Sequence, residues 1–497
     1  MTVEQNIRYS WAPSIIWSLW LIGLAAVPVL GGFDSRRLLL TALLSLIGLW
    51  AAIQRSRLPM GTAGVGALLA IAALGLLSAA RSASFQWASL EVAYTFMLAI
   101  AAIALAHELA RSSTITPASV ATAITISVAL CCFTVVIAIY ASLISGMSFR
   151  APLLTANFAN IRFFNQYQTW TLPFLAAALV TGSPFVAIRD SFWRAFVFTI
   201  AAFFWALFWH SGGRGTEYAT VIATTFVAIS FGAAGRRHAG QMLACATTGL
   251  VISLAIYSPE SATNAHMADT DLNGRAYLWL IAWRHIVAAP WLGIGPMQYA
   301  AIDTGLASHP HDAILQWAVE WGVPAAVLFV AGIIYLIFAW LHLARKILKR
   351  QRGGPHPALI VATTASLLAG GIHALVSGVI DMPASQFLLV TVTALAGGIA
   401  FAHRREIAPP DKTRLERLKN VALLGPMLLA SGYISVFTVQ DDYRRVRDPA
   451  PINIVRLRNT YQPRYWSDGT LTGLVRPPAP PDKPRRDTSS RPATAAK

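Results

Sequence analysis

Charge is what this chain has least of. Only 12% of its 497 residues are Asp, Glu, Lys or Arg, against roughly 25% in an ordinary soluble domain. Such a chain cannot present a mostly water-facing surface. Cysteine is scarcer still, with three residues. Cys131, Cys132 and Cys245 all fall inside apolar runs, so they point to no disulfide framework or metal site and read as small core residues. No internal repeat of roughly 20–50 residues is visible. No small-residue cleavage site follows the first apolar run, which is also too long for a signal peptide. Acids are outnumbered, 22 against 39 bases, for a net charge of +17. A disordered chain, a coiled coil, a small disulfide scaffold and a soluble nucleic-acid binder are excluded. What remains abundant is hydrophobicity, at 56% of residues with a mean hydropathy of +0.55. The fold class expected is all-α, a polytopic membrane helix bundle.

A helix crossing the hydrocarbon needs about 20 apolar residues. Thirteen candidate runs lie near 12–31, 38–54, 61–79, 88–108, 117–143, 166–187, 193–209, 217–233, 239–257, 313–341, 357–379, 384–402 and 419–439. Counting loops alternately from a cytoplasmic N-terminus puts Arg55, Arg57, Arg189, Arg194, Arg236 and Arg237 inside. The two most basic loops, Arg345–Arg352 and Arg404–Lys419, also fall inside, as the positive-inside rule requires. Arg36 and Arg37 fall outside and run against it. Residues 1–440 therefore read as the transmembrane bundle and 441–497 as a basic, aromatic outer tail with a disordered end, loosely associated with the membrane surface. The 258–312 loop is the only long connection between spans, and its 273–289 stretch forms an amphipathic helix suited to the interface.

Four polar islands map to the outer side: Arg162 to Gln168, Ser211 to Glu217, Asn273-Gly274-Arg275, and Ser308 to Asp312. Asp312, Gln316 and Glu320 follow at four-residue spacing and so share one helix face. Arginine keeps its charge in a low dielectric and grips phosphate oxygens in pairs, so Arg162, Arg214 and Arg275 suit an anionic substrate head. A histidine beside them can accept a proton from an attacking hydroxyl near neutral pH. Blander readings stand beside these. A lone interfacial arginine is commonly a headgroup contact, and Arg284, His285 and His266 keep that reading. Glu91 reads as an interfacial helix-end charge. His373 reads as an inter-helix hydrogen bond. Asp269, Asp271 and Asp303 have no metal-ligand spacing, and His309-Pro310-His311 lacks companion ligands. No metal and no cofactor is expected.

Over 155–330 the chain resembles the O-antigen ligase and polymerase superfamily of bacterial envelope glycosyltransferases. The matching elements are Arg162-Phe163-Phe164-Asn165-Gln166, Ser211 to Gly215, Gly274-Arg275 with Trp279, the run Pro290 to Pro296, and His309 to Pro324. The resemblance implies an inverting, metal-independent transferase at the outer face of the bacterial inner membrane. Its donor would be an undecaprenyl-pyrophosphate-linked oligosaccharide, and its acceptor hydroxyl would belong to lipid A–core, another glycan or a protein. Carried over by position, Arg214 and Arg275 would bind the pyrophosphate and His311 would orient or deprotonate the acceptor. Arg162, Asn165 and Gln166, with His309 and Asp312, would help hold the substrate, and Gln316 and Glu320 would support them from behind. Where the family often has Asn, this chain has Asp312, which either raises the basicity of His311 or caps the following helix. Glycan ligation or polymerisation is favoured, because no large outer domain is present to select a protein acceptor. Protein O-glycosylation is the competing acceptor choice. A lipid-linked saccharide transporter would need ionisable groups near mid-membrane, and few are found there.

Overall fold

The computed structural model describes residues 16–19, 21, 23, 32–53, 60–112, 116–146, 158, 160–185, 188–256, 274–350, 356–407, 414–447 and 464–467. The described residues contain helices and turns but no strand, in keeping with the expected fold class. In chain order the helices are α1 (Phe33–Ile53), α2 (Thr62–Ala79), α3 (Phe85–Leu109), α4 (Pro117–Ile144), α5 (Ile161–Thr181), α6 (Asp190–Ser211) and α7 (Arg214–Ser230). They continue as α8 (Gly232–Ile256), α9 (Arg275–Ala288), α10 (Ala313–Trp321), α11 (Val323–Arg350), α12 (Pro357–Ala374), α13 (Pro383–Ile407) and α14 (Arg414–Arg447). Ten of these are long and apolar enough to cross a membrane. The chain is a multi-pass membrane protein. The candidate span 12–31 lies largely outside the described residues, as do Asn273, His266, Asp269 and Asp271 and most of the tail.

Burial separates the helices into two kinds. Across their apolar windows α12 and α13 are 72% buried, whereas α11 is 17% buried. The latter turns Ile334, Tyr335, Leu336 and Phe338 outward. A continuous apolar face of that kind is unfavourable against water and costs nothing against lipid. The centre is formed where α13 packs on α3, α12 packs on α5 and α7, and α14 packs on α1 and α3. Leu90, Met97, Ile100, Phe387, Leu388 and Leu395 are all at or below 2% exposure there.

Two expected spans take a different form. The run 313–341 is broken at Gly322, whose φ of +89° lies in the region that favours glycine. Pro324 then sits in the first turn of α11, where a missing N–H costs nothing. The short α10 is thereby freed from the long α11. The run 357–379 ends as a helix at Ala374, and residues 375–382 form a tight turn before α13.

Helices α5 and α7 cover the expected spans 166–187 and 217–233 but are not among the ten. α5 carries Asn165, Gln166, Gln168, Thr169 and Thr171, all buried, and this polarity has internal partners. Trp170 Nε1 donates to Ser385 Oγ at 2.8 Å, and Gln168 Nε2 donates to the Phe204 carbonyl at 3.0 Å.

The two arginines whose expected placement ran against the charge rule also have partners. Arg37 is buried and donates to Gln386 Oε1 at 2.6 Å and to the carbonyls of Asp381, Tyr465 and Arg464 at 2.7, 3.0 and 3.1 Å. Arg36 lies over the Phe158 ring, 4.1 Å from its centroid. Neither charge meets lipid or bulk water, so a rule about loop charge does not apply to them. The described part of the tail departs from the loose surface association expected of it. α14 runs past residue 440 to Arg447, and Arg464, Tyr465 and Trp466 are each at or below 3% exposure.

Candidate functional site

The site gathers around three turns and the start of α9. In the first turn, Gly212 closes α6 in a left-handed conformation and α7 begins at Arg214. At Gly215 a Cβ atom would stand 2.8 Å from His373 Nε2, so only glycine lets α7 approach α12 this closely. His373 Nδ1 in turn lies 2.8 Å from Thr169 Oγ1, which also donates to Thr216 Oγ1 at 2.9 Å. This is the inter-helix bond expected of His373.

The second turn carries His309, Pro310, His311 and Asp312. Asp312 Oδ1 accepts the main-chain N–H groups of Ile314 and Leu315, both at 2.9 Å. It is therefore the N-cap of α10, one of the two readings left open for it. His311 adopts φ +58°, a conformation uncommon and strained for a residue with a Cβ. Its main-chain N–H donates to His309 Nδ1 at 3.3 Å, and the two rings stand 4.3 Å apart at 72°. Because His309 Nδ1 accepts that bond, its 3.9 Å approach to Asp381 Oδ2 is not a charged pair. Burial, with Arg464 and Arg162, pushes His309 down to about 3, which keeps it neutral. The whole turn is clipped to α9, since Trp279 Nε1 donates to the Pro310 carbonyl at 3.0 Å.

The third turn, 375–382, was not singled out from the sequence. Val376 supplies the carbonyl that accepts Arg275 Nε at 3.1 Å. Ser377 Oγ accepts from Gln166 Nε2 at 3.1 Å. Asp381 Oδ1 accepts from Gln316 Nε2 at 2.8 Å. A single aspartate in a short connection gives no periodic or motif signal, which is why sequence reasoning passed over it.

Arg275 sits at the first position of α9, half-buried, with Arg162 and Arg214 as its charged neighbours. Burial, then those two like charges, push its pKa down. His311 lies within the same positive field. Burial, then His309, Arg162 and Arg275, hold it well below the usual histidine range, and Asp381 opposes them weakly. Its Nδ1 is buried without a hydrogen-bond partner among the described residues. A neutral imidazole with an unused ring nitrogen thus stands inside a group of arginines.

The other expected site residues occupy supporting positions. Asn165 and Gln166 are buried and bond protein: Asn165 Nδ2 donates to Ser211 Oγ at 2.6 Å and to Gln168 Oε1 at 3.0 Å. Glu320 Oε1 accepts the Tyr299 N–H at 3.1 Å, and its Oε2 accepts from Arg464 Nη2 at 2.7 Å. Among the described residues no group of three or more His, Cys, Asp or Glu side chains converges to hold a metal ion. The chain matches no curated protein. Its residues 175–330 match the family model described as O-antigen ligase.

Proposed function

With an O-antigen ligase domain over residues 175–330, which supports placing the chain in the O-antigen ligase and polymerase superfamily, we propose that it transfers a glycan from undecaprenyl pyrophosphate to an acceptor hydroxyl. The reaction takes place at the outer, periplasmic face of the bacterial inner membrane. The N-terminus is cytoplasmic and the tail lies on the side of the site. The observation that carries this reading is the neutral His311, with its unpartnered Nδ1, beside Arg275 and Arg162.

In the proposed step the acceptor oxygen attacks the anomeric carbon on the face opposite the pyrophosphate. The bond between sugar and phosphate oxygen breaks, and its electron pair leaves with the pyrophosphate. Negative charge grows on that oxygen in the transition state, where Arg162, Arg214 and Arg275 oppose it more strongly than in the bound donor. The acceptor proton passes to His311. Burial and then the neighbouring cations make His311 a weak base before the donor binds. The donor's anionic head cancels much of that field, so binding raises the basicity of His311 when it is needed. No metal ion takes part. His309 acts through the His311 main chain, and Asn165, Gln166, Gln316 and Glu320 act by fixing the turns.

The polyprenyl chain lies among lipids against the bundle. Tyr277, Leu280, Trp283 and Val287 of α9 are exposed beside Trp291 and form an apolar border next to the charged group. A glycan or lipid A–core hydroxyl is the favoured acceptor, and a protein Ser or Thr would serve the same chemistry.

The test uses purified protein in proteoliposomes supplied with a lipid-linked oligosaccharide and an acceptor. His311→Ala and Arg275→Ala are expected to lose transfer while eluting as wild type. Wild-type rates from either variant would remove the assignment. Activity in EDTA is expected to be unchanged, and loss restored by a divalent ion would overturn the metal-free step. The product should carry the inverted anomeric linkage.

A further inference from the structure

Beyond α14, residues 464–467 pack back onto the bundle. Arg464, Tyr465 and Trp466 are enclosed, and the polar groups here bond mainly to α1 and α14. Trp466 Nε1 donates to Asp441 Oδ2 of α14 at 2.7 Å. Ser467 donates through its N–H and its hydroxyl to Asp34 of α1, both at 2.7 Å. Arg37 of α1 holds the carbonyls of residues 464 and 465. The Tyr465 hydroxyl lies within hydrogen-bond range of Thr438 and Thr41.

Arg464 points between three acids from three separate parts of the fold. Its Nη2 is 2.7 Å from Glu320 Oε2 and 3.7 Å from Glu91 Oε1, and its Nη1 is 3.1 Å from Asp381 Oδ1. Burial opposes the guanidinium charge, yet Asp381, Glu320 and Glu91 outweigh it and hold its pKa above the ordinary value. Removing the cation would leave these carboxyl groups buried against one another, an unfavourable arrangement that moves side chains or main chain to reach water.

Two of those acids stand behind the candidate site. Glu320 lies in the last turn of α10, whose first residues follow His311 and Asp312. Asp381 lies in the 375–382 turn, whose Val376 carbonyl holds Arg275. Through Arg464 the far end of α10 and that turn are tied to each other and to α3.

We propose that the tail segment Arg464–Ser467 is an intramolecular clamp that completes the transfer site, with Arg464 a positioning residue that sets the distance between His311 and Arg275. It touches neither substrate nor the reacting atoms. The clamp rests on the proposed transfer reaction for its functional meaning, while its structural half can be read without that reaction.

The experiment compares the full-length wild type, Arg464→Ala and Arg464→Lys in lipid nanodiscs. Hydrogen exchange by mass spectrometry follows segments 308–316 and 375–382, with the 211–216 turn as the internal control. Arg464→Ala is expected to raise exchange in both segments and leave the control unchanged. Arg464→Lys, which keeps the charge without the two-pronged donor, should fall between the two. Equal exchange in all three proteins would overturn the clamp whether or not transfer is detected. Should the alanine variant fail to fold, the lysine variant carries the same comparison, and wild-type exchange there would overturn the proposal.

The kinetic arm uses the lipid-linked oligosaccharide donor. Arg464→Ala is expected to lower kcat about 100-fold, the scale of a misplacement near 1 Å, with donor KM within about threefold because the phosphate-facing arginines remain. Partial recovery of kcat by Arg464→Lys is expected. A rise in KM with unchanged kcat would make Arg464 a binding residue and overturn the positioning role. Absence of transfer by the wild type with clamped exchange intact would instead count against the transfer reaction alone.

Discussion

His309 Nδ1 accepts the main-chain N–H of His311 at 3.3 Å, and through it one histidine holds the other in a left-handed backbone conformation. Pro310 between them restricts the chain on both sides. The strain at His311 persists because its neighbours over-determine it, a pattern found at functional sites.

His309→Ala should therefore lower kcat by about 10- to 100-fold through a displaced His311. His309→Asn, whose side-chain oxygen can accept the same N–H, should retain more activity than alanine. Steady-state transfer in proteoliposomes distinguishes them, and equal loss from both variants would show that the accepted bond is not what matters.

Arg275→Lys should be nearly as damaging as Arg275→Ala. Lysine keeps a positive charge but cannot give one donor to the Val376 carbonyl and a planar pair to phosphate. The expected loss is on the order of 100-fold in kcat. Pyrophosphate binding measured by calorimetry should weaken in both variants. Wild-type kinetics in the lysine variant would reduce Arg275 to a point charge.

The acid limb of the pH profile should move when donor binds. In the free protein His311 is held below the usual histidine range by burial, His309, Arg162 and Arg275, with Asp381 opposing. Activity needs the unprotonated ring, so it falls as pH decreases through the His311 pKa. For kcat/KM, which reports the free protein, that limb should lie below about pH 6.5. For kcat, which reports the complex, it should lie at higher pH, because the donor's negative charge favours the imidazolium. Coincident limbs would count against His311 as the group that takes the proton. Stability has its own dependence. His309 is held down to about 3 in the folded chain, so its contribution is present above pH 6.5 and is lost as pH falls from there toward 3.

Gly215→Ala should destabilise the protein by about 1–3 kcal/mol, because the new methyl meets a ring already fixed by Thr169. The second substitution His373→Ala removes that ring and should relieve much of the effect. A double-mutant cycle in thermal unfolding would read a coupling between the two sites, and strict additivity would mean that the ring is not the obstacle.

Trp279→Phe keeps the ring bulk and removes only the donor to Pro310. Stability should fall by about 1 kcal/mol, while kcat falls further because the loop carrying His311 loses its link to α9. A variant with wild-type kcat would detach Trp279 from the site.

The bundle was legible because lipid imposes long apolar runs that few other folds share. Arg162, Arg214, Arg275 and His311 were legible because each stands beside a helix start or a Gly-, Asn- or Pro-marked turn, where polar groups on one membrane face invite comparison. Asp381 and Arg464 carried no such marker. One is a lone aspartate in a short turn, and the other is one arginine in a tail rich in them. Their meaning comes from partners remote in sequence, as when Arg37 holds the carbonyl of a residue 427 positions away. The break at Gly322 shows the other limit. Hydropathy continues smoothly across it, and only the backbone conformation separates α10 from α11.

The acids around Arg464 also follow an order in time. Glu91, Glu320 and Asp381 leave the ribosome in that sequence, and the guanidinium that joins them follows only after α14. Until then the cleft behind α10 and the 375–382 turn has carboxyl groups with no Arg464 between them. A chain stopped before Arg464 would keep that acidity without its guanidinium, and any chain that extends past it can bury the charge.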